Sequence, residues 1–290
     1  MKTLLIAGFG DVAHRVLPAL LGRYRVCALV RSPDRAPREA SDIDLVHGDL
    51  DLPESLGRLA GSADLVLHCA PPPNEGRVDS RTQHLLDALG SGEILPQRVV
   101  YLSTSGVYGD CAGAYVDESR PVNPQSHRAR RRVDAERRLR EWAGARGVRL
   151  VVLRVPGIYA ADRLPTERLR AGTPALRTED DGYTNHIHAD DLAAIAVLAL
   201  EHPQAEGVFN ASDDSEMKMG DWFDLVADRH GLPRPPRIPR TDAAARISPA
   251  LLSFMAESRR LVNRRMKEVL GVRLRYPTVH QGVPVVATAG

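Results

Sequence analysis

Gly8 and Gly10 stand in the turn Ala7-Gly8-Phe9-Gly10-Asp11-Val12-Ala13, between a short apolar run and a helical pattern. In that context the pair is a phosphate-binding device. Gly8 allows the tight turn, Gly10 lets the backbone come close to a pyrophosphate, and the small Ala13 lets helix and strand pack together. The free N–H groups at the helix start would hold the phosphate. The next apolar run ends at Arg31-Ser32 rather than at an acid. An acid there would accept from the ribose hydroxyl of NAD, whereas an arginine pairs with the 2′-phosphate of NADP. Arg31, with Arg35 as a helper, therefore points to NADP, with NAD as the second choice. Further on, the hydroxyls of Ser103-Thr104-Ser105 follow an apolar run, with Tyr108 close behind. His68 lies inside an apolar run with no second metal-binding residue near it, and Cys27, Cys69 and Cys111 lack metal-ligand spacing, so no metal site is expected.

These residues need a frame that brings them together. Thr3 to Ile6 reads as a strand, and Val12, Val16, Leu17, Leu20 and Leu21 give the following helix one apolar face. Arg25 to Val30, Leu45 to Leu50 (with Asp49 at its carboxyl end), Ala63 to Ala70, Arg98 to Leu102 and Leu150 to Val155 read as further strands. The run to Ala70 stops in Pro71-Pro72-Pro73, which offer no N–H groups. Helices are expected over Val78 to Leu89 and Ser126 to Arg146. Strand and helix alternate, so the economical fold is α/β, a doubly wound parallel sheet whose ligands bind at the carboxyl ends of the strands. From Pro156 the sequence turns irregular and polar, until Asp190 serves as the N-cap of an apolar helix. Gly207 to Ala211 is the last strand, followed by short helices around Met219 to Arg229 and Leu251 to Leu270. The expected organisation is a dinucleotide-binding domain over 1–155, completed by 188–211, with 156–187 and 212–280 forming a smaller C-terminal substrate lobe.

Composition narrows the partners. The 290 residues are 43% hydrophobic, enough for a packed core, and 39 Lys+Arg against 37 Asp+Glu leave a net charge of +2. Such a balance gives no global field for nucleic acid or membrane. Arginines crowd the Ser126–Arg146 segment, but Asp134, Glu136 and Glu141 are interleaved with them, as on a solvated or interface face. No apolar run approaches the roughly 18 residues of a membrane span. With unpaired cysteines, a reducing cytoplasm is the expected compartment.

Several motifs in order carry a resemblance: the glycine turn, Gly48-Asp49-Leu50, Leu67-His68-Cys69-Ala70, Ser103 to Gly109, Leu153-Arg154-Val155-Pro156-Gly157-Ile158-Tyr159 and Ile187 to Leu192. Over nearly its whole length the chain resembles an atypical extended short-chain dehydrogenase/reductase of the NAD-dependent epimerase/dehydratase group, which includes the nucleotide-sugar epimerases. The resemblance implies a Rossmann fold. It puts Asp49 and Leu50 on the adenine, Ala70, Pro71 and Pro72 along the ribose and pyrophosphate, Ser103 and Pro156 beside the cofactor, and Thr104 in the place of the catalytic Ser or Thr. It also implies a homodimer through the Val78–Leu89 and Ser126–Arg146 helices, with Trp142 as an anchor.

One departure is chemical. The Tyr-x-x-x-Lys pair of that family should precede Glu136, and the matching positions carry Arg128 and Arg132. A guanidinium stays protonated and cannot exchange a proton as the tyrosine does. Arg132 can still reach the nicotinamide ribose as the lysine would, and Arg128 can hold an anionic substrate. Tyr108 is then the expected stand-in acid, with His186 of the second lobe as runner-up and a substrate contact. The leading expectation is an NADP(H)-dependent oxidoreductase or epimerase-like enzyme acting on a small polar or nucleotide-sugar-like molecule. Its alternative is a catalytically silent NADP(H)-binding sensor or scaffold.

Overall fold

A computed structural model describes residues 1–32 and 43–286; Arg35 lies outside the described residues. Seven strands form the central sheet: β1 (Thr3–Ala7), β2 (Arg25–Val30), β3 (Asp44–His47), β4 (Leu65–His68), β5 (Arg98–Thr104), β6 (Arg149–Val155) and β7 (Gly207–Asn210). Every pairing among them is parallel, in the spatial order β7-β6-β5-β4-β1-β2-β3. Parallel strands covered on both faces read as continuous apolar runs, as β1, β4, β5 and β6 do. The order reverses between β1 and β4, where Ala7 pairs with both Leu29 and His68. A crevice opens at such a reversal, beyond the carboxyl ends of the strands.

Two layers cover the sheet. On one face, α1 (Asp11–Leu20) and the Ala189–Glu201 helix bury Val16, Leu20, Leu192 and Ile195 against Leu4, Ile6 and Leu153. On the other, α2 (Ser80–Gly90) and α3 (His127–Arg146) bury Leu85, Leu89, Leu139 and Trp142 against Leu5, Val99 and Val152. Ser126 caps α3 by accepting the Ala129 N–H at 3.2 Å, and Gly147 ends it in the left-handed region at φ 67°; both are expected helix-end devices. His68 is 1% exposed, a core histidine whose Nε2 meets the Thr82 hydroxyl at 2.9 Å while its Nδ1 is buried without a hydrogen-bond partner among the described residues.

Three expectations need correction. The N-cap of the Ala189–Glu201 helix is His188, whose Nδ1 accepts the Asp190 N–H at 3.2 Å; Asp190 sits in the first turn and pairs with Arg15 at 2.6 Å. Trp142 is no surface anchor, because at 8% exposure it is buried in the chain's own core beside Leu139 and Leu150. Finally, 212–280 is not wholly a second lobe. The Arg264–Leu270 helix returns to the sheet domain, where Met266, Leu270 and Val272 join the core of α1 and β1. The smaller lobe has its own clusters, around Tyr159, Trp222 and Phe223 and around Leu176, Ile238 and Ile247.

Candidate active site

At the strand reversal lies a cavity of about 430 Å³. Gly8, Phe9, Gly10, Asp11 and Val12 form one end, Arg31, Ser32, Asp49 and Leu50 the other, and Ala70, Pro71, Ser103 and Arg132 lie along its walls. Pro72 and Pro156 are not part of it: the Pro72 carbonyl faces Arg81 at 3.4 Å, and Pro156 lines a neighbouring cavity. Gly8 has φ +94°, and a Cβ there would stand 2.3 Å from the Ala70 nitrogen, so only glycine lets β1 and β4 meet this way. A Cβ at Gly10 would meet nothing within 4 Å, which leaves open space over the start of α1. That space, with the N–H groups of the first turn facing it, fits the diphosphate of a dinucleotide.

Asp11 would repel a phosphate if its charge were bare. It accepts from Arg163 at 2.7 Å and Arg15 at 3.0 Å. Burial pushes its carboxyl up, but those two guanidinium groups outweigh it and hold it below the ordinary aspartate value. At the other end Arg81 pairs with Asp51 at 2.6 Å and joins Arg31 on the cavity wall.

The wall nearest the substrate side is built by α3. Glu136 is fully buried and accepts from Ser103 Oγ at 2.6 Å, from Arg154 at 2.8 and 3.2 Å and from Arg140 at 2.7 Å. Burial disfavours the Glu136 carboxylate, but Arg154 overcomes this and sets its pKa below the usual glutamate value. This cluster ties α3 to β5 and β6, one turn beyond Arg132. Arg132 donates to the Leu102 carbonyl at 2.8 Å and to the Tyr101 hydroxyl at 2.9 Å, and it lines the cofactor cavity.

A second cavity of about 390 Å³ adjoins the first, sharing Ile158 and Arg163 with it. Thr104, Arg128 and His186 all line it. The Thr104 hydroxyl accepts the Gly106 N–H at 3.2 Å. Arg128 lies on the Phe254 ring, 3.8 Å from its centroid. His186 stacks on Trp222 at 4.4 Å, is 4% exposed, and is pushed down by burial to about 3, so its imidazole is neutral at physiological pH.

Tyr108 does not stand at the crevice, and the expectation that it replaces the missing acid is corrected. Its ring is buried beneath the turn, its hydroxyl donates to Asn210 Oδ1 at 2.8 Å, and neither cavity includes it. The Arg154 guanidinium stacks on it at 4.7 Å. Arg81, Arg163, Arg168, Arg259 and Glu257 also line the two cavities, and sequence reasoning missed them. No local motif marks them; each is brought in by the packing of distant segments. Among the described residues no group of three or more His, Cys, Asp or Glu could hold a metal ion, and no helix is long and apolar enough to cross a membrane.

Residues 8–203, more than half of the chain, match the NAD(P)H-binding family. A 3-diazoavenalumate denitrifying reductase from a Streptomyces species is 27% identical, across 98% of this chain and 99% of its own. A functionally unknown conserved protein from Silicibacter pomeroyi has a structure that superposes with TM-score 0.76 at 28% identity, covering 97% of this chain and 96% of that one. The UDP-glucose 4-epimerase of Thermus thermophilus, solved in complex with NAD, shares the fold with TM-score 0.76 at 20% identity over 98% and 97% of the two chains. With its seven-stranded parallel sheet and its glycine turn at the strand reversal, the chain belongs to the NAD(P)H-binding family, within the extended short-chain dehydrogenase/reductases that include the NAD-dependent epimerases and dehydratases.

Proposed function

We propose that the chain is an NADP(H)-dependent reductase that delivers hydride to a small acceptor without taking a proton from the tyrosine position of its family. The placement of two arginines carries this reading. Arg132, at the lysine position, lines the cofactor cavity, and Arg128, at the tyrosine position, lines the adjoining one. Neither can serve as a general acid or base near neutral pH. What the pair can do is fix the cofactor ribose and hold an anion, while Arg128 and Thr104 stabilise negative charge that develops on the acceptor. Arg31 and Arg81 favour NADP over NAD.

Acceptors that need no proton at that position suit this site. In a diazonium-type acceptor, for example, hydride bonds to the carbon that carries the group as the C–N bond breaks and dinitrogen departs with that bond's electron pair, so no alkoxide forms and no hydroxyl has to be protonated. The full-length similarity to a denitrifying reductase supports a reductase over an epimerase. NADPH deuterated at the nicotinamide, offered with diazo, carbonyl and nucleotide-sugar panels, tests the reading: deuterium should appear in a product. NADPH binding without label transfer to any of them would favour the second reading, the silent sensor or scaffold, whose support is the same loss of a titratable group at the tyrosine and lysine positions.

The reading includes a homodimer through α2 and α3. These helices lie side by side, with the Asp79 N–H at the start of α2 donating to Asp134 at 2.8 Å, and α3 carries the ion pairs of Arg137 with Asp134 and Glu141. Sedimentation at micromolar concentration tests this, and a monomer there rules it out.

A further inference from the structure

Resting on the reductase reading above, we propose that the second cavity takes a planar aromatic carboxylate rather than a sugar. Its arginines outnumber its acids. Arg128 makes no hydrogen bond or ion pair among the described residues; its guanidinium only stacks on Phe254. Arg168 stacks likewise on Phe223 at 4.0 Å, and its one hydrogen bond among those residues goes to the Pro174 carbonyl at 3.2 Å. Arg259, 8% exposed, is paired with Glu257 at 2.7 Å, yet its Nε is buried without a partner. Among the described residues Glu257 is the one carboxylate on the wall, and Arg259 already holds it.

Guanidinium groups stacked on ring faces keep their N–H edges free, and that edge matches a carboxylate through two parallel hydrogen bonds. An arginine partly withdrawn from water with no counter-ion carries a desolvation cost that a bound anion offsets. Burial alone pushes Arg168 down to about 10, with no acid opposing it. The cavity therefore asks for negative charge.

The rest of the wall asks for a flat apolar body. Trp222, Phe223, Phe254 and Tyr159 supply ring surface, which favours an aromatic guest in stacked or edge-on contact. A sugar would bring several hydroxyls, each needing a partner once buried. The Asn185 amide, the one carboxamide on the wall among the described residues, is already committed to the Arg259 carbonyl at 2.9 Å and to the Leu261 N–H at 2.8 Å, which leaves the scattered hydroxyls of Thr104, Ser105, Tyr183 and Thr184 to meet them. An aryl ring with a single carboxylate satisfies the arginines and leaves no hydroxyl ring unpaired. Ile158 and Arg163, common to both cavities, place such a guest next to the cofactor cavity.

Calorimetric titration of benzoate, cinnamate and naphthoate, each against its neutral alcohol, and of UDP-glucose, in the presence of NADP⁺, tests the proposal. NADPH affinity is measured on the same samples by fluorescence. At least one acid should bind ten times or more tighter than its alcohol and tighter than UDP-glucose. Arg128→Met and Arg168→Met should each weaken that acid roughly tenfold to a hundredfold, the range for loss of a charged hydrogen bond, with NADPH affinity unchanged and so the fold intact. Acids no tighter than alcohols, UDP-glucose as the tighter ligand, or acid affinity unmoved in both variants would each overturn it. If an acid binds as expected while NADPH does not bind, the cofactor reading falls and the assignment of the cavity stands.

Discussion

Arg132 and Tyr101 form a fixed pair: the guanidinium donates to the phenol oxygen at 2.9 Å while its carbon lies 5.5 Å from the centroid of the same ring. The Leu102 carbonyl holds the same nitrogen at 2.8 Å. Burial pushes the Tyr101 hydroxyl up to about 12 although the Arg132 charge opposes it, so the phenol stays protonated and acts as an acceptor for arginine rather than as an acid. The arginine is thereby anchored at the edge of the cofactor cavity.

Arg132→Met would leave the Tyr101 hydroxyl and the Leu102 carbonyl without that donor. The expected loss is about 1–3 kcal/mol of stability, seen as a lower urea midpoint, together with weaker NADPH binding. Arg132→Lys, which keeps a donor and the charge, should recover part of both. Full NADPH affinity in the methionine variant would show that Arg132 serves the fold alone.

Cofactor choice should rest on Arg31. It lines the cavity at the strand reversal, with the Arg81–Asp51 pair beside it. Wild type should bind NADPH more tightly than NADH, and Arg31→Glu should weaken NADPH about tenfold or more, as loss of a charge-assisted contact does, while sparing NADH. Equal affinities for the two cofactors in wild type remove the assignment.

The two glycines of the turn should fail differently. Gly8→Ala drives a methyl into the Ala70 backbone at a left-handed φ of +94°, and a loss of about 3 kcal/mol or more is expected from clash and strain together. Gly10→Ala points into open space at φ −112°. Its fold should hold within about 0.5 kcal/mol, while NADPH affinity drops because the methyl occupies the approach of the pyrophosphate. Thermal unfolding with and without NADPH separates the two; a Gly10 variant that binds NADPH like wild type contradicts the placement.

Acid stability should depend on Glu136. Its folded pKa lies below the ordinary value of 4.5 because Arg154, Ser103 and Arg140 bind the charged form against the penalty of burial. A depressed carboxylate contributes stability that is complete above its unfolded pKa and is lost as pH falls through the folded one. Wild type should therefore lose stability below about 4.5, the range of the unfolded glutamate. Glu136→Gln should flatten that acid limb and cost about 3 kcal/mol at neutral pH, by leaving Arg154 buried without its counter-charge. An acid limb of the same slope in the variant would show that other carboxylates set it.

The fold was legible where the signal was local. Strand, glycine turn and helix lie within Thr3–Leu20, and the apolar runs of β4, β5 and β6 announce a sheet covered on both faces. The strand ends also supply much of the lining of the cavity at the strand reversal. What escaped depends on distant contacts. Nothing near Met266 or Leu270 says that this helix packs on the first core, and although Leu139, Trp142 and Ala143 share one apolar face of the arginine-rich α3, nothing there says that Trp142 meets the chain's own core rather than a partner. His188 caps the Ala189–Glu201 helix because its imidazole reaches the Asp190 N–H, a role that short polar side chains usually take. The substrate cavity was the least legible part: Arg168, Glu257 and Arg259 come to it from separate segments with no shared motif.

Tyr108 and Arg128 give the last and sharpest contrast. The Tyr108 hydroxyl donates to Asn210 Oδ1, and the Asn210 amide in turn donates to the Val116 and Val262 carbonyls at 3.1 Å, so the phenol belongs to a buried network that ties the tail to the end of β7. Burial raises its pKa against the pull of Arg154, and neither cavity reaches it. Tyr108→Phe should cost about 1–2 kcal/mol through the unpaired Asn210 oxygen and leave hydride transfer unchanged in pre-steady-state measurement with whichever acceptor takes deuterium. His186→Ala should weaken packing against Trp222 and Tyr159 without moving the pH profile, because the imidazole is already neutral across the working range. Arg128→Met, by contrast, should slow transfer about a hundredfold if it stabilises charge in the transition state, the scale seen when one such donor is removed. A fall of that size in Tyr108→Phe with Arg128→Met unaffected would return the proton-donor role to the tyrosine and undo the assignment of a reductase that works without one.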